Sequence, residues 1–160
     1  MPQSLSHIDS DGNLKMVDVK EKAISFREAR GQATVTFPSS VFEAIVQAKG
    51  VLKKGSIFEV SRIAGIMAAK NTANVIPLCH PIALEGCDLD FLMDSKTASI
   101  TIHSRVSLHG KTGVEMEALN AVSAAALCLY DMCKALSHEI VIDNIHLVAK
   151  SGGKKDFSRR

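Results

Sequence analysis

Residues 98–108 read Ala-Ser-Ile-Thr-Ile-His-Ser-Arg-Val-Ser-Leu, and residues 110–119 follow with Gly-Lys-Thr-Gly-Val-Glu-Met-Glu-Ala-Leu. The first stretch alternates with a period of two, which puts Ile100, Ile102, Val106 and Leu108 on one face of a strand. The period then lengthens. Val114, Ala118, Val122, Ala125, Leu129 and Cys133 recur at helical spacing, the core stripe of a long helix running to about Leu136. Thr112 with Glu115 three residues later has the form of a capping box at its start. A half-buried strand feeding a long amphipathic helix is the centre of the fold.

The rest of the chain is arranged around that pair. Ser40 with Glu43 opens a short helix that Gly50 can end, and Ser56 with Glu59 opens a second. In the second, Ile57, Val60, Ile63, Ala64 and Met67 form the predicted apolar stripe. Further strands are expected over residues 33–37, 87–93 and 140–148, with a hairpin turn at Asp94-Ser95-Lys96. The order is strand, two helices, strand, hairpin, strand, long helix, strand. It predicts an α+β chain, a ferredoxin-like split β-α-β sandwich with an extra helix in the first crossover.

At 160 residues the chain is expected to be a single domain over 1–160. Residues 16–150 form its ordered core. The N-terminal fifteen residues and the tail after Lys150 (Ser-Gly-Gly-Lys-Lys-Asp) read as mobile. A net charge of +2 gives no broad basic field for nucleic acid or anionic lipid. The longest apolar run, residues 124–130, is far short of the ~20 residues that span a bilayer. No basic stretch feeds a hydrophobic one near the start, so a cytoplasmic protein is expected. RNA recognition by base stacking is disfavoured, since residues 98–108 carry no Phe, Tyr or Trp. Cys79, Cys87, Cys128 and Cys133 make no C-x-x-C pair; they read as small buried thiols, and no metal site is expected.

Four features carry possible chemistry. Asp131 and Lys134 lie on one face of the long helix, inside an otherwise apolar sequence. They read either as an exposed ion pair or as partly buried groups suited to proton transfer. Glu115 and Glu117 occupy the helix's first turn. Glu115 suits the helix dipole there, and Glu117 is also able to accept two N–H bonds from a guanine-like edge. Pro77-Leu78-Cys79-His80-Pro81 frames one imidazole between two prolines, in the manner of a binding loop. Lys53-Lys54-Gly55 reads as a solvated turn or a phosphate grip before the second helix. Gly110-Lys111-Thr112 is no P-loop, because Arg105 stands where the required glycine would be, but the turn still suits an anion. Ser151-Gly-Gly-Lys154 is a weak phosphate-loop cue, and Arg27 and Arg30 are ambiguous.

Several unbroken motifs occur together and in order: Met-Val-Asp-Val (16–19), Arg-Glu-Ala-Arg (27–30), Arg-Ile-Ala-Gly-Ile (62–66), Ala-Ala-Lys (68–70), Ile-Pro-Leu-Cys-His-Pro (76–81), the 110–119 stretch, Tyr-Asp-Met-Cys-Lys-Ala (130–135) and Ala-Lys-Ser-Gly-Gly-Lys (149–154). From His7 to Lys155 the chain thereby resembles the cyclic pyranopterin monophosphate synthases, the molybdenum cofactor biosynthesis protein C family. The resemblance implies a lyase that converts 3′,8-cyclo-7,8-dihydro-GTP, made from GTP by a radical enzyme, to cyclic pyranopterin monophosphate with release of pyrophosphate. It implies a catalytic pair at Asp131 and Lys134. Substrate contacts fall on Leu78, Cys79, His80, Met116 and Glu117, with Lys54 as a further basic group. It also implies a homohexamer built as a trimer of dimers with sites at the dimer interface. No cofactor is required for the chemistry, and magnesium is compatible with the triphosphate. The competing reading is a nucleotide-sensing module on the same fold, which needs a ligand grip but no poised Asp and Lys.

Overall fold

The computed structural model describes residues 7–9 and 11–159. One sheet and one long helix organise the fold. The elements run β1 (Ser25–Thr36), α1 (Ser39–Gln47), β2 (Val51–Leu52), β3 (Gly55–Ser56), α2 (Ile57–Lys70), α3 (Thr72–Val75), β4 (Gly86–Asp94), β5 (Ser99–Gly110), α4 (Glu115–Cys133), β6 (Val141–Ser151) and β7 (Phe157–Ser158). Five strands form one sheet in the order β4-β5-β1-β6-β7, every pair antiparallel. The chain is therefore α+β, an antiparallel sheet with helices packed against it.

The inner face of β5 carries Ile100, Ile102, Val106 and Leu108, all buried as their alternation predicts. Ser104 shares that face, and a specific contact accounts for it. Its hydroxyl donates to the Ala118 carbonyl on α4 at 2.7 Å and accepts from the Gly31 N–H at 3.2 Å. Gly31 lets the helix come this close, since a Cβ there would lie 2.8 Å from the same Ala118 oxygen. Ala29, Ala33 and Val35 of β1 continue the floor, and the predicted stripe of α4 is buried on it throughout. β1 starts eight residues earlier than expected, because small residues at Ala29 and Gly31 carry its buried face where β-branched ones were sought.

Helix starts differ from the capping-box reading in two cases of three. Ser56 does cap α2, accepting from the Glu59 N–H at 3.4 Å. The cap of α1 is Pro38, without a side-chain bond, and Phe37 packs on Phe42 across the entry turn as a hydrophobic staple. α4 is entered through Val114, and Thr112 stands too early to cap it. The stripe on α2 is also displaced. Ile57, Ser61, Gly65 and Ala69 face inward, while Val60, Ile63 and Met67 are exposed. The reason is close approach to α4: a Cβ at Gly65 would meet Leu89 Cδ2 at 2.5 Å and the Ala121 carbonyl at 2.9 Å. Small residues make that contact and leave the large ones outside.

Beyond Lys150, where composition suggests mobility, the chain turns at Gly152, whose φ of 81° suits glycine, and β7 pairs back on β6. Of the N-terminal fifteen residues, 1–6 and 10 lie outside the described residues; an isolated bridge joins Ile8 to Leu14. Among the described residues no helix is long and apolar enough to cross a membrane, and all four cysteines are free thiols.

Candidate functional site

α4 has a chemically distinct group at each end. At its N-terminal end, Leu78, Cys79, His80, Met116 and Glu117 line one cleft of about 480 Å³, together with Val17, Val19 and Lys22. Leu78, Cys79 and His80 of the proline-framed loop thus share the cleft with Met116 and Glu117 of the first turn of α4. His80 is oriented by its Nε2, which donates to the Val17 carbonyl at 2.8 Å; a carbonyl only accepts, so Nε2 carries the hydrogen and Nδ1 is left for a ligand. Glu117 is almost wholly buried. Burial pushes its carboxyl up to about 7, with the nearby charge of Glu115 acting in the same direction. Burial raises the Cys79 thiol, and the charge of Glu117 adds to that, so its thiolate form is disfavoured.

A second lobe of about 400 Å³ adjoins the first and shares Lys22, Thr112, Gly113, Glu115 and Lys150 with it. It adds Arg27, Lys111, Lys154 and Lys155. These cations are far apart in sequence but converge because the start of β1 lies between the ends of β5 and β6, with Ala29 paired to both Val106 and Lys150. Lys111 donates to the Lys20 carbonyl at 2.8 Å, and Arg27 to the Gly110 carbonyl at 3.3 Å. Lys150 pairs with Glu115 at 2.9 Å. Lys22 is an isolated lysine in the sequence, and only the convergence of the strand ends gives it company. Arg30 turns to the other face of the sheet, where it and Arg105 hold Glu28.

The C-terminal end of α4 holds the other three candidates. Asp131 meets Lys134 at 2.7 Å and Lys54 at 3.2 Å, and Lys54 also donates to the Asp131 carbonyl at 3.0 Å. These side chains are about half exposed, so the partly buried setting envisaged from the apolar sequence is not provided by a single chain. Lys134, then Lys54, hold the Asp131 carboxyl below the usual range, and Asp131 raises the Lys134 ammonium. The structure thus gathers five candidates in the cleft and three in the ion-pair cluster, and it does not bring the two sets together within one chain. Among the described residues no three His, Cys, Asp or Glu side chains are placed to hold a metal.

Compared with known protein families, residues 16–153 match the MoaC family. The chain belongs to the MoaC family. Relatives cover nearly its whole length. It is 47% identical over 157 residues, 98% of each chain, to the cyclic pyranopterin monophosphate synthase of Thermoanaerobacter pseudethanolicus. It is 49% identical over 150 residues to the protein of that name from Heliobacterium modesticaldum, covering 94% of this chain and 93% of the relative. The Staphylococcus carnosus protein of the same name is 47% identical over 156 residues. Both ends of α4 lie inside the span that matches the MoaC family.

Proposed function

We propose that this MoaC-family chain is a cyclic pyranopterin monophosphate synthase, an enzyme of molybdenum cofactor biosynthesis. It takes 3′,8-cyclo-7,8-dihydro-GTP, rebuilds the purine as a pyranopterin, closes a cyclic phosphate and releases pyrophosphate. The observation that carries this reading is the two-lobed cleft. One lobe offers a buried carboxyl and a framed imidazole to a base, and the adjoining lobe offers five or more cations to a polyphosphate. Glu117, His80, Cys79, Leu78 and Met116 would hold the base. Lys22, Arg27, Lys111 and Lys150 would hold phosphates, favouring the pyrophosphate leaving group as charge develops on it.

Asp131 and Lys134, with Lys54, would supply the proton transfers of ring opening and reclosure. Their exposure and their shifts away from neutrality support a site that is completed by a second copy. We therefore place each active site between two chains, with two α4 helices antiparallel across a two-fold axis. The exposed Leu127 on α4 and Val60, Ile63 and Met67 on α2 are apolar side chains that further copies would cover. The assembly is taken to be a hexamer, a trimer of dimers, on a ferredoxin-like sandwich; the strand order β4-β5-β1-β6 supports that topology. The chemistry needs no resident cofactor, and the triphosphate can bring magnesium with it. Free cysteines suit a cytoplasmic setting. Incubating the purified protein with the cyclised GTP intermediate should yield pyrophosphate and the pyranopterin together. A nucleotide-sensing module would bind that compound and leave it intact.

A further inference from the structure

The Glu115–Lys150 pair stands where the two lobes of the cleft meet, and both side chains stay about one-third exposed, at 30% and 36%. We propose that Glu115 is a displaceable counter-ion: it occupies Lys150 while the cleft is empty, and a phosphate must take its place before a polyphosphate can settle. This rests on the reading of the basic lobe as a phosphate site. The other cations there are free of such competition. Lys111 and Arg27 give their hydrogen bonds to neutral carbonyls, which leaves their charge available to an anion. Glu28 also borders the lobe, but its carboxylate is held by Arg30 and Arg105 on the other face of the sheet. Among the ion pairs of the described residues, Lys150 is the one cation of the lobe that faces a carboxylate.

The loop before α4 is shaped for this arrangement. A Cβ at Gly113 would run into the Glu115 carboxylate, so the glycine leaves the space in which that side chain reaches across to β6. Glu115 is the first residue of α4, past the position a capping box with Thr112 would need, and its side chain is given to Lys150 instead. The cost of displacing it is the same for every anion. Weakly held anions therefore fall out of the useful range, while a polyphosphate gripped by several other cations remains. After the reaction the returning carboxylate competes with pyrophosphate for Lys150 and hastens its release. Glu115 thus sets how tightly the phosphate lobe holds an anion and how readily it lets go, outside the bond-making groups.

Calorimetric titration with inorganic pyrophosphate tests this on the intact protein. Glu115→Gln should bind pyrophosphate about two- to fivefold more tightly, the size expected from releasing a partly exposed ion pair. Gly113→Ala, which keeps the charge but pushes the carboxylate off Lys150, should tighten it in the same direction. In a Lys150→Met background, Glu115→Gln should change nothing further. An equal tightening in that background would mean a general field effect, and no tightening in the native background would mean no competition; either overturns the counter-ion. Turnover of the cyclised GTP intermediate by the unmodified protein, measured alongside, reports separately on the enzymatic reading. Turnover without any pyrophosphate binding would remove the phosphate lobe, and the counter-ion with it.

Discussion

Glu117 and Asp131 stand on the same helix, fourteen residues and roughly 21 Å apart along its axis, in opposite environments. Glu117 is buried beside His80 in a cleft and holds its proton up to about pH 7. Asp131 is half exposed and held as a carboxylate by two lysines. The first can donate a hydrogen bond or a proton near neutrality; the second accepts hydrogen bonds, and within a single chain the two lysines hold it too acidic to take protons there. The helix that joins them is too long for both to touch one ring system from a single chain.

Asp131→Asn and Lys134→Ala should each cut turnover by at least ~10²-fold, the usual contribution of a general acid or base. Because both side chains are about half exposed, the melting temperature should stay where it is. Steady-state rates with the cyclised intermediate, beside a thermal melt, check both halves. Near-normal turnover in either folded variant would return the pair to the status of a surface ion pair.

The strand and helix built from residues 98–133 were legible because their buried faces are made of large or regularly spaced apolar side chains. Where small residues do the packing, the pattern misleads. α2 shows its bulky side chains to solvent because Ser61, Gly65 and Ala69 let it close on α4. The first half of β1 is hidden behind Arg27, Glu28 and Arg30 for the same reason. The binding loop and the first turn of α4 stood out by proline framing and by paired glutamates. The basic lobe did not, since Lys22, Lys111 and Lys150 become neighbours only through strand pairing. Nor does sequence disclose that the Asp131 cluster lies at the far end of the helix from Glu117.

Gly65→Ala should destabilise the protein by about 1–3 kcal/mol, the usual cost of overpacking a close contact. The added methyl would press on Leu89 and on the backbone oxygen of Ala121, which has little freedom to move. Urea denaturation measures the difference. A neutral result would show that α2 and α4 can separate without loss.

Burial of Glu117 should make stability depend on pH. Its carboxyl is raised from 4.5 to about 7 in the folded chain, so between those values the folded state binds more protons than the unfolded one. Stability therefore falls as pH rises through this window, by up to about 3 kcal/mol, and levels off above it. Denaturation at pH 5 and pH 8 should show the loss in the native protein and a reduced loss in Glu117→Gln. An unchanged slope in the variant would place the titration elsewhere.

His80 is expected to contact substrate and to hold no metal. Its Nε2 is spent on the Val17 carbonyl, and among the described residues no trio of ligating side chains surrounds it. Metal analysis of protein purified without added zinc should give well under one equivalent per chain. One tightly bound zinc that disappears in His80→Ala would contradict this.

A site shared between chains makes a quantitative prediction for mixtures of inactive proteins. Glu117→Ala lacks the cleft carboxyl, and Asp131→Ala lacks the proton-transfer group, so each assembly alone should be inactive. When the two are unfolded together and reassembled, half of the dimers are mixed by chance. In a mixed dimer one site collects both substitutions and the other collects neither. Half the sites in half the dimers are then intact, and about one quarter of native activity should return. Mass spectrometry of the same sample confirms that mixed assemblies have formed. Activity that stays at the level of the separate variants in their presence would mean that one chain supplies both groups to a site, which the roughly 21 Å between Glu117 and Asp131 along α4 argues against.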